Sequence, residues 1–142
     1  TKTTLREVYY ELGCQNVALE GTLLKPNMVL SGKNADNRAS AEQVAEKTLA
    51  CLMNTVPSSV PGIVFLSGGQ SDEEATINLN SINKAAKSAA APWQLSFSYG
   101  RGLQASPLKE WRGIEGNSKA AQDSFYQRAE VTSAAREGTY SA

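Results

Sequence analysis

The chain has 142 residues, 41% of them hydrophobic, which is the size of one domain with enough apolar material to bury a core. Its 14 Lys and Arg balance its 14 Asp and Glu, so no net field draws it to nucleic acid or to an anionic membrane surface. The sequence contains no histidine, which excludes Ser-His-Asp and Cys-His catalysis and His-ligated metal sites and leaves chemistry to Lys, Arg, Ser, Tyr and carboxylates.

The opening Thr1-Lys2-Thr3-Thr4 lacks the basic-then-apolar order of a signal peptide, and no apolar run approaches the roughly 20 residues of a membrane span. A soluble protein that is not exported is expected. Leu5, Val8, Tyr9 and Leu12 keep helical spacing, and Gly13 stands where a C-terminal cap belongs, so the chain opens in a helix. The run from Asn16 to Lys25 is apolar and closed by Pro26, which predicts a buried strand ending near Lys25. A polar loop over 31–39 follows. Ser40 and Gln43 then form a capping-box pattern ahead of Val44, Thr48, Leu49 and Leu52, which predicts a helix over 41–54.

Residues 60–67 form a second apolar run, ended by Ser67-Gly68-Gly69. Ser71 and Glu74 repeat the capping-box pattern, and Ala75, Leu79 and Ile82 carry a helix toward the Ala-rich stretch 86–91. Residues 93–99 read as a third strand, stopped by Gly100 before Arg101. Helices are predicted from about 103 to 111, with Pro107 in the first turns, and from 117 to 136, ending at Gly138. Cys14 and Cys51 match no C-x-x-C or zinc spacing and are expected to be free, buried thiols of a reducing compartment.

Strands alternating with helices, each strand continuously apolar, predict an α/β fold with a parallel sheet covered on both faces. Three strands in this order fit either a doubly wound sheet or part of an eight-stranded barrel. No Rossmann glycine fingerprint or Walker loop follows any strand, which favours the barrel modestly.

Three polar features stand just past the three strand ends: Lys25, Ser67-Gly68-Gly69 and Gly100-Arg101. Active sites of barrels lie on that face, often with a phosphate site built by the last loops. A lysine at a dry strand end is a nucleophile toward a carbonyl once desolvation or a neighbouring cation frees its amine. The plainer alternative is a lysine that reaches out to solvent. Ser67-Gly68-Gly69 offers unobstructed backbone N–H groups beside a helix start near Ser71, an anion site in geometry and dipole, and is otherwise an ordinary turn. Arg101 suits a bidentate pair with phosphate, or else a surface ion pair.

Leu19-Glu20-Gly21-Thr22-Leu23-Leu24-Lys25-Pro26-Asn27-Met28-Val29 closely resembles the active-lysine segment of class I fructose-bisphosphate aldolases. Phe65-Leu66-Ser67-Gly68-Gly69-Gln70-Ser71, Asn78-Leu79-Asn80 with Ile82-Asn83, and Pro92-Trp93 with Phe97-Ser98-Tyr99-Gly100-Arg101 and Leu103-Gln104-Ala105-Ser106 continue the resemblance in order. It implies the C-terminal part of a TIM (β/α)8 barrel, with about three parallel strands, crossover helices and C-terminal helices. On this resemblance residues 1–142 form the C-terminal segment of a single barrel domain, incomplete at both ends. Lys25 would form a Schiff base with dihydroxyacetone phosphate, while Ser67, Gly68, Gly69, Ser98, Gly100 and Arg101 would hold a substrate phosphate. The implied reaction is cleavage of fructose 1,6-bisphosphate to dihydroxyacetone phosphate and glyceraldehyde 3-phosphate in glycolysis or gluconeogenesis, without metal or cofactor. The implied assembly is a homotetramer in the cytoplasm or, alternatively, the plastid. Gly102 stands where the family leads one to expect alanine, and the stretch 85–91 is slightly long. The family's acid/base carboxylates fall outside this segment, and Tyr140 does not match the family's terminal tyrosine.

Overall fold

The computed structural model describes residues 1–141. Helix α1 (Lys2–Cys14) leads through a single 3-10 turn (Leu19–Gly21) into the short strand β1 (Leu23–Leu24). Then follow α2 (Ala41–Met53), β2 (Gly62–Phe65), α3 (Asp72–Ser88), β3 (Gln94–Phe97), α4 (Arg101–Trp111) and α5 (Ser118–Arg136). The strands pair in parallel in the order β1-β2-β3, with Leu24 opposite Ile63, and Ile63 opposite Leu95. Because each strand runs the same way, α2 and α3 serve as the crossovers.

One face of the sheet makes the core. Ile63 and Phe65 on β2 and Leu95 on β3 are buried against Leu49 and Leu52 of α2, Leu79 and Ile82 of α3 and Ala135 of α5. On the alternate positions, which point to the opposite face, Leu23 is 64% exposed, Gln94 is exposed, and Val64 and Ser96 are half-buried. The expected cover on both faces is therefore present on one face only.

The first predicted strand is also shorter than its apolar run. Asn16 takes a left-handed φ of 54° and closes α1, with its own N–H on Gly13 O and the Val17 N–H on Leu12 O. This is the Schellman pattern, with asparagine in the role assigned to Gly13, which lies inside the helix. The Thr22 N–H and hydroxyl then both donate to Leu19 O, at 3.0 and 2.7 Å, so local bonds hold 19–22 in a turn where a ladder was expected.

The capping signals match the structure more closely. Ser40 and Gln43 form the complete box: Ser40 Oγ accepts the Gln43 N–H, and Gln43 Oε1 accepts the Ser40 N–H. At α3 only half of it forms. Ser71 Oγ accepts the Glu74 N–H at 3.1 Å, but the Glu74 carboxylate turns to Arg38 at 2.7 Å and ties down the 31–39 loop. Both cysteines are free; Cys51 is buried as expected, whereas Cys14, in the last turn of α1, is exposed.

Candidate functional site at the C-terminal rim of the sheet

The parallel ladder runs past the formal strand ends. The Leu66 N–H donates to Pro26 O at 3.1 Å, and the Ser98 N–H donates to Phe65 O at 2.8 Å. These two bonds keep the register of the strands and bring the segments 25–27, 66–69 and 98–101 to one rim. Central β2 lies between the other two, so β1 and β3 stand about 10 Å apart at two inter-strand spacings.

Lys25 leaves this rim one residue past β1. Its register partners across the sheet are Val64 and Ser96, one step beyond the Leu24–Ile63–Leu95 row. Its neighbours alternate to the helix side, which puts Lys25 on the open face with Leu23. The side chain is exposed and makes no hydrogen bond or ion pair among the described residues. Its backbone is fixed: Pro26 is buried in the ladder, Met28 is 1% exposed, and the Val29 N–H donates to Thr48 Oγ1 at 2.9 Å.

Ser67 is buried, and the two glycines after it take left-handed φ values of 61° and 81°. A side chain at either position would be strained, so the sequence needs glycine here to make the turn. Gln70 holds the turn in shape. Its N–H and Nε2 both donate to Ser67 O, at 3.1 and 2.7 Å, while its Oε1 accepts from the buried Asn78 at 2.7 Å.

The helix start nearest the glycine turn differs from the expected anion site. Ser71 caps α3, and Asp72, Glu73 and Glu74 occupy its first turn, so the positive end of its dipole is already met by carboxylates. The start of α4 is the opposite case. Gly100 is the cap residue, no side chain caps the helix, no acidic residue stands in its first turn, and Arg101 is its first residue. Arg101 is exposed and without an ion pair among the described residues. Arg101 thus belongs to the helix, two residues earlier than the predicted start, and its cation adds to the dipole at that end. Ser98, Gly100 and Arg101 lie together at the end of β3, Ser67, Gly68 and Gly69 beside them at the end of β2, and Lys25 beyond these at the end of β1.

Among the described residues no group of three or more His, Cys, Asp and Glu is placed to hold a metal ion, and no helix is long and apolar enough to cross a membrane. The family profile described as "Glycolytic: Fructose-bisphosphate aldolase class-I" matches residues 1–142. This chain belongs to the class I fructose-bisphosphate aldolase family. Fructose-bisphosphate aldolase C-B of Danio rerio is 51% identical over 99% of the chain, and the cytoplasmic isozyme of Cicer arietinum is 52% identical over the same share. Each match covers 38% of the relative, so the chain spans about two fifths of the length of these aldolases. A solved structure of the aldolase from Plasmodium falciparum, in complex with TRAP and a small-molecule inhibitor, superposes with a TM-score of 0.95 at 46% identity. That superposition covers 99% of this chain and 40% of the other. The three-stranded α/β architecture is thus the C-terminal part of the aldolase (β/α)8 barrel, and the open sheet face is its interior side.

Several groups at the rim were not legible as site residues. Gln70 and Asn78 lay inside the motifs that carry the aldolase resemblance, but nothing in their spacing says that they bond each other. Asn80 and Asn83, from the same stretch, serve elsewhere: Asn80 exchanges two hydrogen bonds with the Tyr140 backbone, and Asn83 Nδ2 donates to Ala135 O at the end of α5. Tyr99 is buried with its hydroxyl on Ala75 O at 3.2 Å, and this burial pushes its phenol far above the usual tyrosine range.

Proposed function

We propose that the protein contributes the Schiff-base lysine and one phosphate site of a fructose 1,6-bisphosphate aldolase, with Lys25 as the covalent residue. The observation that carries this reading is the single rim that holds Lys25, the Ser67-Gly68-Gly69 turn and the uncapped start of α4 at three adjacent strand ends of an aldolase barrel segment. In the proposed reaction the neutral Lys25 amine attacks the ketose C2 carbonyl, and loss of water leaves an iminium. Breaking the C3–C4 bond sends its electron pair into that iminium and gives an enamine. The C4 hydroxyl proton passes to a base outside this segment, and glyceraldehyde 3-phosphate departs. Protonation of the enamine at C3 and hydrolysis then release dihydroxyacetone phosphate and free Lys25.

Ser67, Gly68, Gly69, Ser98, Gly100 and Arg101 take the role of phosphate ligands, through backbone N–H groups, hydroxyls and one guanidinium. Residues 1–142 are then one segment of a single barrel domain, whose partners are the remainder of the barrel and, in the assembled enzyme, three further copies. A cytoplasmic location agrees with the name of the Cicer arietinum relative, with the plastid as the alternative. The open sheet face favours a second reading, a noncatalytic phosphate-binding segment of the same barrel, for the chain on its own.

Borohydride reduction in the presence of dihydroxyacetone phosphate separates the two. A covalent adduct mapped to Lys25 by mass spectrometry supports the aldolase. Reversible binding without an adduct supports the phosphate-binding segment.

A further inference from the structure

Arg128 lies on α5, remote in sequence from the rim, and its side chain is only 14% exposed. Its guanidinium joins two other elements, α3 and α4. Nε donates to Gly102 O of α4 at 3.1 Å, and one terminal nitrogen donates to Asp72 O and to Thr76 Oγ1 of α3, both at 3.1 Å. The Asp72 carboxylate, 3.8 Å from Nε, also accepts from Ser106 Oγ of α4 at 2.9 Å. Thus the first turn of α4 is fastened at Gly102, and the second turn at Ser106, to the same ion pair.

That turn is also close-packed at Gly102. Gly102 is buried, and a Cβ there would lie 3.2 to 3.3 Å from three atoms of Tyr99, whose hydroxyl is itself bonded to α3. Gly102 is thus close-packed against a buried ring while its carbonyl is held by Arg128. Arg128 is placed to do more than hold helices together, because the carbonyl it grips belongs to the residue after Arg101.

We infer that Arg128 is a positioning residue for phosphate: by holding Gly102, it sets the direction of the free N–H groups and of Arg101 at the start of α4. The inference rests on the phosphate reading of that helix end. Arg128 does not touch the ligand. A lysine at 128 keeps the charge but lacks the planar fork that reaches α3 and α4 together, so it is not an equivalent replacement.

The test is made in the complete barrel protein, with inorganic phosphate as the binding probe and fructose 1,6-bisphosphate as substrate. Arg128→Met is expected to weaken phosphate binding and raise KM by about tenfold, with kcat changed by less than about twofold and an unchanged circular dichroism spectrum. Arg101→Ala is expected to weaken phosphate by about 10- to 150-fold. Since both changes act on one turn, the double variant should lose less than the product of the two factors. Should Arg128→Met not fold, Arg128→Lys is read in the same way. A normal loss in Arg101→Ala with unchanged phosphate binding in the Arg128 variant, or fully multiplicative losses, overturns the inference and leaves the phosphate reading standing. No loss of phosphate binding in Arg101→Ala overturns that reading and this inference with it.

Discussion

Lys25 and Arg101 are both exposed cations at the rim, yet the chemistry proposed for them separates under substitution. Lys25→Arg keeps the positive charge and removes the amine that forms the iminium, because guanidinium stays protonated. The complete enzyme carrying it should fold normally, bind phosphorylated ligand and show no measurable turnover; retained cleavage would move the Schiff base to another residue. Tyr99 tests the packing beneath the site. Its phenol is held neutral by burial, and the nearby Arg128 charge opposes that shift less strongly. The unfolded chain releases this proton near pH 10 while the native state keeps it, so above that pH the unfolded state binds fewer protons. The Tyr99 contribution is then level below pH 10 and falls as pH rises above it, by up to about 1.4 kcal/mol per unit for one tyrosine. The partly desolvated Tyr9 acts in the same direction. Denaturant midpoints of the complete enzyme measured from pH 8 to 11 should show this decline, and Tyr99→Phe should make it shallower.

At the level of elements, α2 should depend on its cap more visibly than its exposed position suggests. Ser40→Ala removes the acceptor for the Gln43 N–H and breaks the complete box, at a cost of about 1 kcal/mol read as a shift in the denaturation midpoint of the complete enzyme. A shift no larger than that of a control substitution at exposed Lys47 would mean that packing alone fixes the helix start. The helices and the two later strands were legible because their signals are local: hydroxyl caps, 3.6-residue spacing, and apolar runs cut by glycine. The pattern misleads where a local bond competes with it. Thr22 turned the first apolar run into a 3-10 turn, and Asn16 took over the cap expected of Gly13. The site was legible in the same uneven way. Lys25, the glycine turn and Arg101 announce themselves by following strand ends, whereas nothing in Ser124-Phe125-Tyr126-Gln127-Arg128 marks the arginine beyond its place in a helix. Only the packing of α5 across the starts of α3 and α4 gives it three acceptors.

For the molecule as a whole, the parallel order of strands was legible, but the exposure of one sheet face was not, since hydrophobicity records what a chain is built to bury and not what is there to bury it. Here β1 and β3 are both edges, and Leu23 lies 64% exposed on a face that belongs to a barrel interior. Unpaired strand edges and open apolar surface invite pairing with another chain, and three strands give only limited protection against it. The 142-residue polypeptide produced alone should therefore self-associate. Sedimentation velocity over a range of concentrations should show species larger than the 15.2 kDa monomer, and heating should give a broad or irreversible transition. The open face predicts where this association occurs, so Leu23→Lys, on that face and away from the helix core, should shift the population toward monomer. A sharp cooperative melt together with monomeric mass at all concentrations would show that the helix side of the sheet suffices for an independent domain, against the partial-barrel account.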